Sequence, residues 1–287
     1  MLIILYVCQK IVVAMKFRNV FFNLFGKEVL DIRLQPDKSK IGEIRNNNSG
    51  TPMKIIDYKS TSDITIEFLD EHHYIKHTAY INFVRGNVKN PYDRDLYGVG
   101  YLGVGKWKVK DETGKWSRVY LCWRHMLERC YHEKSSWQYP AYYGICTVCE
   151  EWKCFQTFAD WYKAREYDVN ERLHLDKDIK HPGNTVYSPE NCILVPQKIN
   201  ALFMNKKNKR GLPNGISKCK TGYCAEYNGK HIGTFITVEK AYEEQTKKKK
   251  EEIVKVANSY KGIIPNEVYD AVISYEFSLS NDKNYVA

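Results

Sequence analysis

The residues best suited to chemistry lie between Arg172 and Phe203, in the stretch RLHLDKDIKHPGNTVYSPENCILVPQKINALF. Arg172 to Asp178 alternates apolar and polar side chains, the period of a half-buried strand. Leu173 and Leu175 then face one way, while His174, Asp176 and Asp178 face the other. The loop His181-Pro-Gly-Asn184 is turn chemistry, and Tyr187-Ser-Pro-Glu190 leads into a second apolar run, Cys192 to Val195. Pro196 suits the first turn of a helix, where its missing N–H would be unpaired anyway. Asn200 lies one turn further on, close enough to the first strand to share a divalent ion with Asp176. Mg²⁺ takes oxygen ligands and keeps several waters, so one carboxylate and one amide oxygen completed by a phosphate form a workable set.

These residues resemble the HNH endonucleases, particularly the free-standing HNH proteins of bacteriophages, whose core is a two-stranded ribbon packed on a helix around one metal ion. The likeness extends through Trp123-Arg-His-Met-Leu-Glu-Arg-Cys-Tyr131, Cys149-Glu-Glu-Trp152, Phe155-Gln-Thr-Phe158, Leu175-Asp-Lys-Asp178 and Tyr187-Ser-Pro-Glu-Asn-Cys192 to Asn200, and covers residues 97–205. A series of this kind in order is far more specific than one three-letter motif. The resemblance implies a homing-type endonuclease that hydrolyses DNA with one divalent metal, Mg²⁺ or Mn²⁺. It makes Asp176 the acidic metal ligand, Asn200 the helix ligand and Asn191 the residue that pins the loop. In active members a histidine follows the acidic position and activates the attacking water; here that position is Lys177.

A lysine flanked by Asp176 and Asp178 stays protonated and is a poor general base. His174, on the same strand face as Asp176, or His181 in the loop supplies the imidazole in the enzymatic reading, and Lys177 stabilises phosphate charge instead. The alternative is a catalytically inactive HNH-like fold that serves as a DNA-binding or regulatory scaffold.

The chain has 287 residues and a net charge of +10, which points to a polyanionic partner, here double-stranded DNA. Between Asn205 and Lys261 fourteen basic residues face six acidic ones, so most of the excess charge is C-terminal. That region reads as three short strands, Gly215–Lys220, Tyr223–Tyr227 and Lys230–Ile236, the last two joined by the hairpin signal Asn228-Gly229. Thr237 caps a helix running to about Tyr260. Tyr223-Cys-Ala-Glu-Tyr227 with Ile232-Gly-Thr-Phe-Ile-Thr-Val-Glu-Lys-Ala-Tyr242 is similar to the Apetala-type (ethylene-response-factor-like) DNA-binding domain, in which the sheet lies in the major groove. That likeness makes Lys218, Lys220, Tyr223 and Lys230 the DNA-contacting candidates, with phosphate contact by the lysines favoured over base readout, because several groove-facing arginines of the plant domains are absent. A protein- or RNA-binding module is a weaker alternative for the same basic sheet. The run Lys247–Lys250 spreads around a helix and reads as solvated, the helix Pro265–Phe277 as packing back on this module, and residues 278–287 as a loose tail.

The expected architecture is therefore α+β and multi-modular. An N-terminal extension over 1–39 precedes a small β-rich module over 40–92, read as five strands in a barrel or bent sheet, with Ala79–Val88 closing it; its aromatic residues read as core. The nuclease-like core follows over 97–205 and the Apetala-type module with its C-terminal helix over 211–277. Tyr97-Gly-Val-Gly-Tyr-Leu-Gly-Val-Gly105 is a flexible joint or tight hairpin rather than a dinucleotide fingerprint, so no small-molecule cofactor is expected. Met1–Ala14 is apolar but broken by Gln9-Lys10, too short to span a bilayer, and lacks the marks of a secretory signal. It reads as an added strand or helix, or as an upstream extension with Met15 or Met53 as the true start. Nine cysteines and no signal point to reduced thiols in the cytoplasm of a bacterial or phage-infected cell, with no membrane role. Cys146-Thr-Val-Cys149 lacks a second pair at zinc-ribbon spacing. Structural Zn²⁺ held by Cys130, Cys146, Cys149 and Cys192, with Cys154, His125 or His132 in reserve, is the minor expectation and buried free thiols the default.

Overall fold

The computed structural model describes residues 3–7, 10–14 and 38–286, and the chain divides into two compact units at Asn90/Pro91. The protein is α+β. In the first unit β1 (Ile3–Val7) and β2 (Lys10–Ala14) pair antiparallel. A separate antiparallel sheet follows, built in chain order from β3 (Ile44–Asn46), β4 (Pro52–Ser60), β5 (Asp63–Phe68) and β6 (Ile75–Thr78). Its buried face carries Met53, Ile55, Ile64, Ile66 and Phe68. Four strands, not five, form this sheet: the segment expected to close it holds the helical turn α1 (Tyr80–Val84). The reason is packing, because a helical turn lays Phe83 fully buried against that face, whereas a further strand would point alternate residues away from it. Tyr58 is buried and meets Tyr80 edge-on at 5.7 Å, so these aromatics belong to the core as expected.

The second unit begins with a turn that bridges Leu96 to Gly100. Its glycines are places of close approach: a Cβ on Gly100 would sit 2.4 Å from Leu127, and Gly103, at φ +69°, has the Cys154 sulfur 2.6 Å from where one would be. The tight-hairpin reading holds and the flexible joint does not. Helix α2 (Arg118–Tyr131) starts at Ser117, whose hydroxyl accepts from the Tyr120 N–H at 3.3 Å. Strand β7 (Thr147–Val148), α3 (Glu150–Lys153) and α4 (Phe155–Arg165) follow, and Trp123, Trp152, Phe155 and Phe158 form an aromatic core between α2 and α4. Next come β8 (Leu173–Asp176), β9 (Val186–Tyr187), β10 (Ile193–Pro196) and α5 (Gln197–Phe203). β8 pairs antiparallel with β10, and β9 pairs parallel with β7. The aromatic core thus covers one side of the ribbon through Leu175 and Leu194.

The C-terminal strands β11 (Ile216–Cys219), β12 (Gly222–Tyr227) and β13 (Lys230–Phe235) form one antiparallel sheet, followed by α6 (Val238–Ser259) and α7 (Asn266–Ser274). Asn228 and Gly229 both have positive φ, 50° and 72°, the geometry a tight two-residue hairpin requires. Thr237 caps α6 by accepting from the Lys240 N–H. The first half of α6 covers the sheet with Val238, Ala241 and Tyr242. Its second half does something else: Ile253, Val256 and Ala257 join Val268 and Val272 of α7 on Ile193, Val195 and Ile199. Helix α7 therefore packs on the ribbon and α5 rather than only on its own module. Two of the four consecutive lysines also turn inward, Lys249 over the Phe277 ring at 4.7 Å and Lys250 onto the Tyr275 carbonyl.

The tail is not loose. Asn284 is 3 % exposed, and its amide donates to Asn205 Oδ1 and the Lys206 carbonyl, both at 3.0 Å. Asn214 donates to the same two acceptors, and Asn205 donates to Asp282 Oδ2. Because α6 serves two cores, Ile253→Ala should cost about 2–5 kcal/mol. It should speed amide exchange in α5 as well as in α6; exchange confined to α6 would show the ribbon to be independent of that helix.

Candidate functional site

Register places the chemistry. Asp176 pairs with Ile193, Leu175 with Leu194, His174 with Val195 and Leu173 with Pro196, so His174 and Asp176 share the face opposite the aromatic core. Pro196 is the residue before α5, and the helix packs back on both strands. One turn into α5, Asn200 Nδ2 lies 3.2 Å from His174 Nδ1. Asp176 faces the same side, and its Oδ1 accepts from the Asp178 and Ile179 N–H groups at 2.8 and 2.7 Å. Burial raises the Asp176 carboxyl to about 6, the charge of Asp178 adds to this, and the two backbone bonds oppose it. Burial lowers the His174 pKa, and the positive charges of Arg172 and Arg129 lower it further, so the imidazole is neutral at pH 7.

Lys177 has a different role from its neighbours. It is 6 % exposed, and its Nζ donates to Asp178 Oδ1 and to the Asn184 carbonyl, both at 2.6 Å. The ammonium also lies 5.7 Å from the Tyr142 ring and 5.9 Å from the Tyr187 ring. Burial alone would lower its pKa, but the Asp178 charge and hydrogen bond outweigh burial and raise it. Lys177 is thus a protonated cation anchored in the core, and no base. His181 lies exposed in the loop.

The loop is pinned chiefly by Asn184, which in sequence reads as plain turn chemistry. Its amide donates to the Lys177 and Val186 carbonyls at 2.9 and 2.8 Å. Asn191 adds a second tie, donating to Asn184 Oδ1 and the Val186 carbonyl at 3.3 Å. Sequence reasoning also misses Cys122 and Arg129, which stand with His125, read there only as a reserve zinc ligand, on one face of α2 by their spacing of three and four residues. Tyr275, just past α7, stands near the acid pair: burial pushes its phenol up to about 12, with Asp178 and Asp176 contributing.

The cysteines considered for zinc carry protonated thiols. Burial pushes Cys130 up to about 12 and raises Cys146, Cys149 and Cys192. His132 bonds to the Ser135 hydroxyl at 2.7 Å instead. Among the described residues no three His, Cys, Asp or Glu side chains gather as a metal cluster. No helix among them is long and apolar enough to cross a membrane.

On the C-terminal sheet the four DNA-contacting candidates separate. Lys218, Lys220 and Lys230 are exposed, Lys220 in the turn before β12. Tyr223 pairs with Lys218 and Phe235 and packs against the Ile216 and Ala225 core under α6. Its ring therefore serves the core. The opposite face carries Ser217, Cys224 and Thr234 in register, small groups that leave the lysines at the rim. A groove of about 340 Å³ beside Pro182, Asn214 and Lys249 is edged by Glu226, Glu276 and Asp282, a polarity unsuited to phosphate.

Comparison with known proteins finds no match to a family model, to a curated protein or to a solved structure. Because Lys177 anchors the loop, Lys177→Met should lower stability by about 1–3 kcal/mol, leaving the Asn184 carbonyl unbonded. A urea melt checks this, and an unchanged midpoint would show that the lysine does not hold the loop.

Proposed function

We propose that this protein binds double-stranded DNA and hydrolyses its phosphodiester bonds at the β8–β10–α5 site, as an endonuclease of HNH type. The observation that carries the reading is the meeting of His174 and Asn200 on the face that also bears Asp176. Turning the Asn200 amide presents Oδ1 to His174 Nδ1–H, and Nε2 then holds the lone pair that removes a proton from water. Burial and two arginines keep that nitrogen unprotonated at neutral pH. The donor set suits Mg²⁺ or Mn²⁺: Asp176 spends Oδ1 on backbone N–H groups and keeps Oδ2, and the Asn200 carbonyl oxygen has a second lone pair. Such an ion, when bound, would stabilise charge on the phosphate and the leaving oxygen. Asn184 and Asn191 hold the loop, and Lys218, Lys220 and Lys230 contact the DNA backbone. The rival reading, a binder without cutting activity, is favoured by one observation, the anchored Lys177 where active members of the HNH family carry histidine.

Incubation with supercoiled plasmid and Mg²⁺ or Mn²⁺ decides between them. Nicking is expected from the wild type and should fall by at least about 100-fold in His174→Ala and in Asn200→Ala, within the range that general-base loss produces. Binding without nicking would leave only the scaffold. Replacing Lys218, Lys220 and Lys230 by alanine should reduce the slope of log affinity against log salt by about one for each phosphate no longer neutralised. An unchanged slope would remove the sheet from the interface.

A further inference from the structure

Arg129 is a cation with no anion against it among the described residues. Its Nε is buried with no hydrogen-bond partner, and no carboxylate pairs with it among the described residues. The guanidinium lies 5.3 Å from the Tyr142 ring and 5.6 Å from the Tyr187 ring. Those are the two rings that Lys177 also approaches, but Lys177 has Asp178 and Arg129 has nothing equivalent among the described residues. Stacking on rings offsets only part of the loss of water around a charge. A guanidinium also presents five donors in a planar fork that matches two oxygens of one phosphate.

Its surroundings fit an anion rather than a core ion pair. The residue as a whole is only half-buried, while its Nε is shut off from solvent. One turn back on the same helix stands His125, and Lys177, next to Asp176 in the chain, shares the two rings with Arg129.

We propose that Arg129, stacked on Tyr142 and Tyr187, is a phosphate-binding residue that takes the oxygens of a DNA phosphate. This rests on the reading of the β8–β10–α5 site as the place where DNA is cut. The two tyrosines fix the plane of the fork, and with no carboxylate against it among the described residues its donors are left for the substrate.

The full chain and its Arg129→Met and Arg129→Lys variants test it by two independent readouts: the melting temperature with and without inorganic phosphate, and affinity for a short duplex as a function of salt. Wild type should melt higher in phosphate than in chloride at equal ionic strength. Arg129→Met should lose that rise while melting no lower than wild type in chloride, because an uncompensated charge is gone. Its duplex affinity should fall by about 10-fold with the salt slope reduced by about one. Arg129→Lys, which keeps the charge and loses the fork, should recover the slope and little of the plasmid nicking; it serves as the test if the methionine variant does not fold. Arg129→Met melting well below wild type, with phosphate response, salt slope and nicking all intact, would overturn the proposal and make the arginine a structural stack. A wild type that shows the arginine-dependent phosphate response but binds no duplex would uphold the anion site and reject the nuclease reading.

Discussion

The antiparallel register of β8 against β10 is the constraint on which the rest of the second unit depends. A strand has a period of two, so a slip of one residue would carry Leu175 off the aromatic core and drive His174 and Asp176 into it. Burial on both sides forbids that slip: Leu175 and Leu194 are held by the Trp152 and Phe158 side, Ile193 and Val195 by α6 and α7. With register settled, Pro196 starts α5 at the point from which Asn200 reaches back to His174. The asparagine ties in the 177–191 loop then bring the chain from one strand to the other without disturbing the pairing.

Charge is distributed unevenly around this frame. Lys177 is buried yet satisfied by Asp178, a carbonyl and two rings, while Arg129 shares the rings and has no such acid among the described residues. Two cations near one pair of tyrosines would be costly in a purely structural core.

Much of the fold was legible because turn signals and periodicity agreed. The hairpin Asn228-Gly229, the cap Thr237 and the alternation from Ile216 to Phe235 marked β11 to β13 and α6 within a residue or two. The alternation of Arg172–Asp178 and the position of Asn200 likewise foretold which side chains would share a face. Three things were hidden. Tyr80–Val84 reads as strand by composition, but Phe83 gains more by capping the sheet from a helical turn. The asparagines at 205, 214 and 284 look like solvated loop residues until they bond to one another across the fold. Tyr223 is a contact candidate only through the likeness to the Apetala-type sheet, and its register packs it under α6. Burial of Arg129 and Lys177 was invisible for the same reason: side-chain partners distant in sequence leave no periodic trace.

Helix α6 has a consequence for how such proteins can exchange parts. A recombination event that replaced everything after Phe203 with an unrelated module would remove Ile253, Val256 and Ala257 together with the sheet. The apolar side of Ile193, Val195 and Ile199 would then stand open to water, and the ribbon would lose the support that keeps it in place. Shuffling at that junction is viable only when the incoming piece brings a long helix whose far end fits the old ribbon, so the sheet module and the ribbon are inherited as a pair.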